Sequence, residues 1–175
     1  MATNEGRSNI REAIEATVTS FLSAYEDGRE QNDPSIINRA VTPECTRQLL
    51  PASLCKALGA PESLLIPNDQ YEHLYANDLT VGGVYNTVKK DLVVDVEAQR
   101  AAVTTTSDFR YLDGEVLTLE FSWTFYLNKD GSKICKVIEF ADGDAVKRMA
   151  AKAQNLDGGK ETGSADAGDA KMKQD

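Results

Sequence analysis

Between positions 117 and 127 every odd residue (Leu117, Leu119, Phe121, Trp123, Phe125, Leu127) is large and apolar. The residues between them, Thr118, Glu120, Ser122, Thr124 and Tyr126, are mostly polar. A period of two is that of a β-strand, whose side chains alternate between faces, so this segment has one buried aromatic wall and one wetter side. Such a wall needs partner strands beside it and a second layer over it. β-Branched and aromatic runs over about 85–96, 100–111 and 133–141 join 115–128 to predict an antiparallel meander that begins after Gly82-Gly83.

The covering layer is read from the first half. Ile10, Ile14, Val18, Phe21, Leu22 and Tyr25 recur at helical spacing, with Asn9 and Glu12 as a capping pair and Gly28 as a stop. Asp33-Pro34 and Thr42-Pro43 each set a cap residue before a proline, predicting short helices over 34–41 and 43–50, and another over 52–58 ends at Gly59. Asp69 and Glu72 open a further helix in which Tyr71, Leu74, Tyr75 and Leu79 share a face. The first half therefore reads as helical. Asp142 caps a closing helix, with Val146 and Met149 on its apolar side, to about 154. Residues 1–9 read as a flexible N-terminus, 10–154 as one α+β domain, and the small polar stretch 155–175 as a disordered tail.

Length and charge narrow the function. At 175 residues and 41% hydrophobic content the chain suffices for one soluble domain. A formal net charge of −9 repels phosphate backbones and anionic headgroups, so neither a nucleic-acid nor a membrane partner is expected. No apolar run reaches the roughly 20 residues of a membrane span and the N-terminus carries no signal core, which reads as a cytoplasmic protein. Cys45, Cys55 and Cys135 lack paired spacing, and His73 is the sole histidine, so no disulfide framework and no metal site is expected. The chain has no GxGxxG, GxxxxGK[ST], GxSxG or HExxH segment, which implies a site without a cofactor.

Glu139 is the foremost candidate for chemistry. Asn128-Lys129-Asp130-Gly131 suits a type I turn with a glycine bulge, and this three-residue loop sets Phe125 against Cys135, Trp123 against Val137 and Phe121 against Glu139. Glu139 then points among aromatic rings, where desolvation raises a carboxyl pKa toward the range of a general acid or base. A two-residue Asp-Gly turn would instead turn Glu139 to the polar side, as an ordinary strand carboxylate, and bring Lys136 inward. Asp142, three residues on, is either a helix cap or a second acid. His73 lies about 200° around its helix from Tyr71, on the side for solvent unless that helix flanks a pocket mouth. Tyr25, Tyr71 and Tyr75 either pack or offer hydroxyls to a ligand. Phe121, Trp123 and Phe125 complete the expected pocket wall.

The helices-then-meander order, with Asp69-Gln70-Tyr71, Glu120-Phe121 and the segment DGSKICKVIEFADG from Asp130 to Gly143, resembles the SnoaL-like branch of the NTF2-like superfamily, closest to its fungal polyketide-cyclase and meroterpenoid-isomerase members. The resemblance spans about 10–150. It implies a cone-shaped α+β barrel around an apolar pocket, commonly dimeric through the other face of the sheet, and, in enzymes, cofactor-free proton transfer by pocket carboxylates and histidines. Glu139 and Asp142 fall on the motif's acidic positions. The paired histidines of the dehydratase members are absent, so water elimination by that route is not implied. Two readings follow. One is an isomerase or cyclase acting on an apolar polyketide-like or terpenoid molecule in secondary metabolism, with Glu139 as base or acid and a tyrosine or His73 steadying an oxyanion. The other is a non-catalytic binding or scaffold protein of the same fold. A cavity above roughly 300 Å³ reached by Glu139 separates them.

Overall fold

The computed structural model describes residues 4–158. Helix α1 (Asn4–Gln31) is followed by a 3-10 turn (Pro34–Asn38), strand β1 (Val41–Leu50), helix α2 (Ala52–Ala57), the short strand β2 (Leu65–Pro67) and helix α3 (Asn68–Val81). Four long strands follow: β3 (Gly82–Asp95), β4 (Arg100–Tyr111), β5 (Val116–Leu127) and β6 (Ile134–Ala141), before the closing helix α4 (Gly143–Gly158). They form one curved sheet in the order β2-β1-β6-β5-β4-β3. The sheet is mixed, because β1 runs parallel to β6 while every other pair is antiparallel. It stays open, with β2 and β3 at opposite edges. Helices lie over one face of it, which makes the fold α+β.

The aromatic wall is where the alternation puts it. Ile14, Val18 and Phe21 of α1 are fully buried against Trp123 and Phe125 of β5, and the Phe21 ring meets those two rings edge-on at 5.6 and 5.0 Å. Each such side chain taken out of water contributes about 1.5–3 kcal/mol, so this contact fixes the helix on the sheet. Trp123 Nε1 donates to Thr105 Oγ1 at 2.8 Å, which satisfies the one polar group of the wall.

Several expectations change. The stretch 43–50 is strand β1, not a helix. Proline at 43 mimics a helix opening, but it sits where the ladder to β6 shifts register between Val41 and Thr46, a place where its missing N–H costs nothing. Gly28 does not end α1: a Cβ there would lie 2.6 Å from the Tyr75 hydroxyl, so this glycine admits the crossing of α3. The helix also begins at Asn4, inside the segment read as flexible, and Arg7–Glu97 (2.6 Å) and Arg11 to the Val94 carbonyl (3.3 Å) tie it to the sheet. At the other end α4 extends to Gly158, four residues beyond the expected limit, because Ala151 to Leu156 contains no helix breaker. The rest of the expected tail lies outside the described residues.

The β5–β6 register differs by two from the one derived from a three-residue loop. Trp123 pairs with Glu139 and Phe125 with Val137, after a bulge at Cys135 that leaves Leu127 opposite Ile134 and Tyr126 opposite Lys136. A shift of two preserves parity, so Glu139 keeps its inward face and Lys136 stays out. The bulge reverses parity only before itself. Ile134, expected on the wetter face, is therefore fully buried. Gly131, at φ 76°, makes the left-handed turn the sequence called for, and its carbonyl accepts from Thr17 Oγ1 at 2.8 Å. Among the described residues no helix is long and apolar enough to cross a membrane.

Candidate active site

Between the concave face of the sheet and helices α3 and α4 lies a cavity of about 390 Å³. β5 supplies Phe121 and Trp123, β6 supplies Glu139, α1 supplies Tyr25 and α3 supplies Tyr71 and Tyr75. Six of the sequence-derived candidates thus converge. Phe125 is not among them: two residues further along β5 it is fully buried under Phe21, as core.

A hydroxyl relay ends on Glu139. Tyr25 and Tyr71 hydroxyls stand 2.7 Å apart, and Tyr71 Oη donates to Glu139 Oε2 at 3.3 Å. Tyr75 Oη donates to the Tyr25 carbonyl at 2.6 Å and so fixes the two helices to each other instead of entering the relay. Burial pushes Glu139 up to about 7, against the pull of Arg47 and of the Tyr71 hydrogen bond, with Asp78 pushing the same way as burial. Burial and the adjacent Glu139 hold the Tyr25 and Tyr71 hydroxyls well above the ordinary phenol range, so both stay protonated donors. Burial pushes Tyr75 up to about 12. At neutral pH the carboxyl of Glu139 is thus poised between its two forms, with a neutral donor already aimed at it.

Sequence reasoning missed two residues of this site. Arg47 is 1% exposed, on β1 beside β6, with its guanidinium 4.0 Å over the Tyr71 ring. It donates to Asn68 Oδ1 at 3.1 Å, to the Ile37 carbonyl at 3.2 Å and to Asn38 Oδ1 at 3.0 Å. All three acceptors are neutral, so its positive charge is left to act on the cavity. Its signal, the alternation Cys45, Arg47, Leu49, was hidden by the helical reading of that stretch. Asp78, on the last turn of α3, also lines the cavity, and burial pushes it up to about 7. It continues the stripe Tyr71, Leu74, Tyr75 at the seventh residue, a signal present in the spacing.

Asp142 and His73 do not join them. Asp142 Oδ1 accepts the backbone N–H of Asp144 at 2.9 Å and lies against an open groove on the outer face, because alternation along β6 turns 139 inward and 142 outward. His73 is exposed on the side of α3 away from the Tyr71–Asp78 stripe. Among the described residues no group of three His, Cys, Asp or Glu side chains is arranged to hold a metal ion.

Helices laid over a curved, open six-stranded sheet with a cavity between the two layers make an NTF2-like fold. Comparison with solved structures agrees. BvnE pinacolase from Penicillium brevicompactum superposes with a TM-score of 0.65 at 21% identity, over 89% of this chain and 97% of that one. PrhC from Penicillium brasilianum gives 0.65 at 20% identity, over 85% and 97% of the two chains. An NTF2-like protein from Burkholderia pseudomallei gives 0.54 at 14% identity, over 78% and 95%. No protein-family model and no curated protein matches the sequence.

Proposed function

We propose that this chain is an isomerase or cyclase that moves a proton on an apolar polyketide-like or terpenoid molecule of secondary metabolism, using its own side chains as acid and base. The observation that carries this reading is Glu139: a carboxyl at about 7, in a cavity of about 390 Å³ walled by aromatic rings, with the Tyr71 hydroxyl on its oxygen. The cavity exceeds the roughly 300 Å³ at which a ligand site begins, which favours an enzyme over a scaffold filled by its own side chains. The likeness in fold to a fungal pinacolase supports the same class. Glu139→Gln keeps the shape and removes the titrating group. It should leave folding intact and abolish turnover of apolar carbonyl substrates screened by mass spectrometry; full turnover in this variant would overturn the assignment.

The outer face fits a second copy of the chain. Phe140 is 51% and Val93 64% exposed there, beside Ser122, Thr124 and Ile138, an apolar strip that is costly to leave in water. A homodimer by light scattering at micromolar concentration is the expected result. Free cysteines at 45, 55 and 135 fit a reducing compartment such as the cytoplasm.

A further inference from the structure

We infer that the cavity has a second ligand-binding end, formed by the Ser107 hydroxyl of β4 and the Thr87 hydroxyl of β3. Its ligand is an extended, multi-ring molecule with a neutral hydroxyl or carbonyl oxygen at the end remote from Glu139. This rests on the proposed function and deepens it to a substrate class.

Among the described residues two buried side-chain polar atoms lack a hydrogen-bond partner, Arg47 Nε and Thr87 Oγ1, and both residues line this one cavity. Buried polar groups are nearly always paired, so two orphans around a single cavity point to a ligand that satisfies them. Ser107 makes a third. It is 7% exposed, it lines the cavity, and its hydroxyl has no partner among the described residues. Thr105, the inward residue before it on β4, differs in that its oxygen already accepts from Trp123.

A break in the ladder brings Thr87 to this place. Val84 faces the cavity, so strict alternation would turn 86 inward and 87 outward. The β3–β4 register shifts between Tyr85 and Val88, with Asn86 at φ 57°, and this bulge reverses the parity and aims Thr87 inward across from Ser107. Two bonds hold the bulge: Asn86 Nδ2 donates to Asp108 Oδ2 at 2.8 Å, and the Thr87 N–H donates to Glu26 Oε1 at 2.7 Å.

Position and charge define the ligand. In sheet order Glu139 stands on β6 and the two hydroxyls on β4 and β3, with Phe121 and Trp123 of β5 between them. At about 4.8 Å per strand the two ends lie on the order of 10 Å apart, the length of a two- or three-ring molecule. The aromatic wall between them suits those rings. Hydroxyls both donate and accept, so an alcohol and a ketone oxygen fit this end alike. An anion does not fit. The cation of the cavity lining, Arg47, stands on β1 beyond Glu139, and the charge bonded to Thr87 is the Glu26 carboxylate.

The test compares two rigid probes, 4,4′-dihydroxybiphenyl and 4-hydroxybiphenyl, by quenching of Trp123, the sole tryptophan and part of the cavity wall. They differ by one hydroxyl at the far end of the rod. The single hydroxyl of the second probe has the Tyr71–Glu139 end to go to, so the extra hydroxyl of the first reads the Ser107–Thr87 end. On the full chain the dihydroxy probe should bind about 10-fold tighter, the usual worth of one neutral hydrogen bond. Ser107→Ala and Thr87→Val should each cut that ratio and together abolish it, while affinity for 4-hydroxybiphenyl stays unchanged. Because neither hydroxyl has a partner, both variants should resist urea as well as the parent, which a structural role would not allow. Equal affinities for the full chain, or an advantage that survives the double variant, overturns the inference and leaves bound water to satisfy the two hydroxyls. The proton-transfer reading fails separately, through full turnover by Glu139→Gln, and that failure leaves the probe ratio as it is. Quenching by neither probe overturns the ligand cavity and both readings with it.

Discussion

Glu139 reaches the cavity from the middle of a sheet and Asp78 from the last turn of a helix, and the backbone behind each decides how much company the carboxyl keeps. A central strand has neighbours on both sides. Glu139 pairs with Trp123 on β5 and with Leu49 on β1, and one inward step from Leu49 stands Arg47. The helix end has no such supply of donors. Its last-turn carbonyls carry partial negative charge, which opposes a carboxylate at the very position Asp78 occupies. Two acids pushed to the same pKa of about 7 are therefore not equivalent: one is balanced between burial and donors, the other is raised by burial alone. The lesson is that a shared pKa of about 7 hides two different balances, burial offset by a cation and a donor at Glu139 and burial without such an offset at Asp78.

The comparison breaks most severely if Arg47 is removed. Arg47→Met fills similar space but strands the Asn68, Asn38 and Ile37 oxygens that the guanidinium now satisfies, inside a residue environment 1% exposed. A loss of about 3 kcal/mol in urea unfolding is expected, together with a further rise of the Glu139 pKa toward that of a donor-poor acid. Retained stability would show that the charge at this end is not held by those acceptors.

Asp78→Asn acts at the bare end and should stabilise. The native carboxyl holds its proton up to about pH 7, whereas the unfolded chain releases it near the ordinary 3.8. Between those values the native state binds more protons, so stability is full below about pH 4 and falls as pH rises toward 7. Asparagine removes that slope. The variant should gain about 2 kcal/mol over the parent at pH 8 and nothing at pH 4, roughly half the full linkage value because solvent reaches the cavity. Urea melts at both pH values check it; a gain that does not grow with pH would mean that Asp78 is not protonated in the native state.

How much of this was readable from the sequence follows the range of the interactions involved. Strands β4 to β6 show their faces within a few residues, so the wall and the inward parity of Glu139 were legible even though the loop register was not. The bulge at Cys135 is set by how β6 must fit β1 and β5 together, a three-strand condition that no hairpin rule contains. Strand β1 was hidden for the same reason: its ladder partner is about 90 residues away, and Thr42-Pro43 locally imitates a helix start. Arg47 disappeared with it. Asp78 lay in plain view on the Tyr71 stripe, but a charged residue there reads as a helix edge until α4, with Val146 and Met149, is placed along the same cavity.

The smallest expected effect sharpens the comparison at the donor-rich end. Tyr71→Phe keeps the ring under the Arg47 guanidinium and removes only the hydroxyl that reaches Glu139 at 3.3 Å. That bond is long, and a side-chain hydrogen bond of this kind contributes about 0.5–1.5 kcal/mol. Its loss should raise the Glu139 pKa by roughly half to one unit, since the bond favours the ionised form. The acid limb of the pH–activity profile then moves up by the same amount. At pH 6 the rate should fall several-fold; at pH 9, above the Glu139 pKa of either protein, it should barely change. An equal loss at both pH values would mean that the Tyr71 hydroxyl touches the substrate instead of tuning the base, and the relay from Tyr25 through Tyr71 would then point at an oxyanion and not at Glu139.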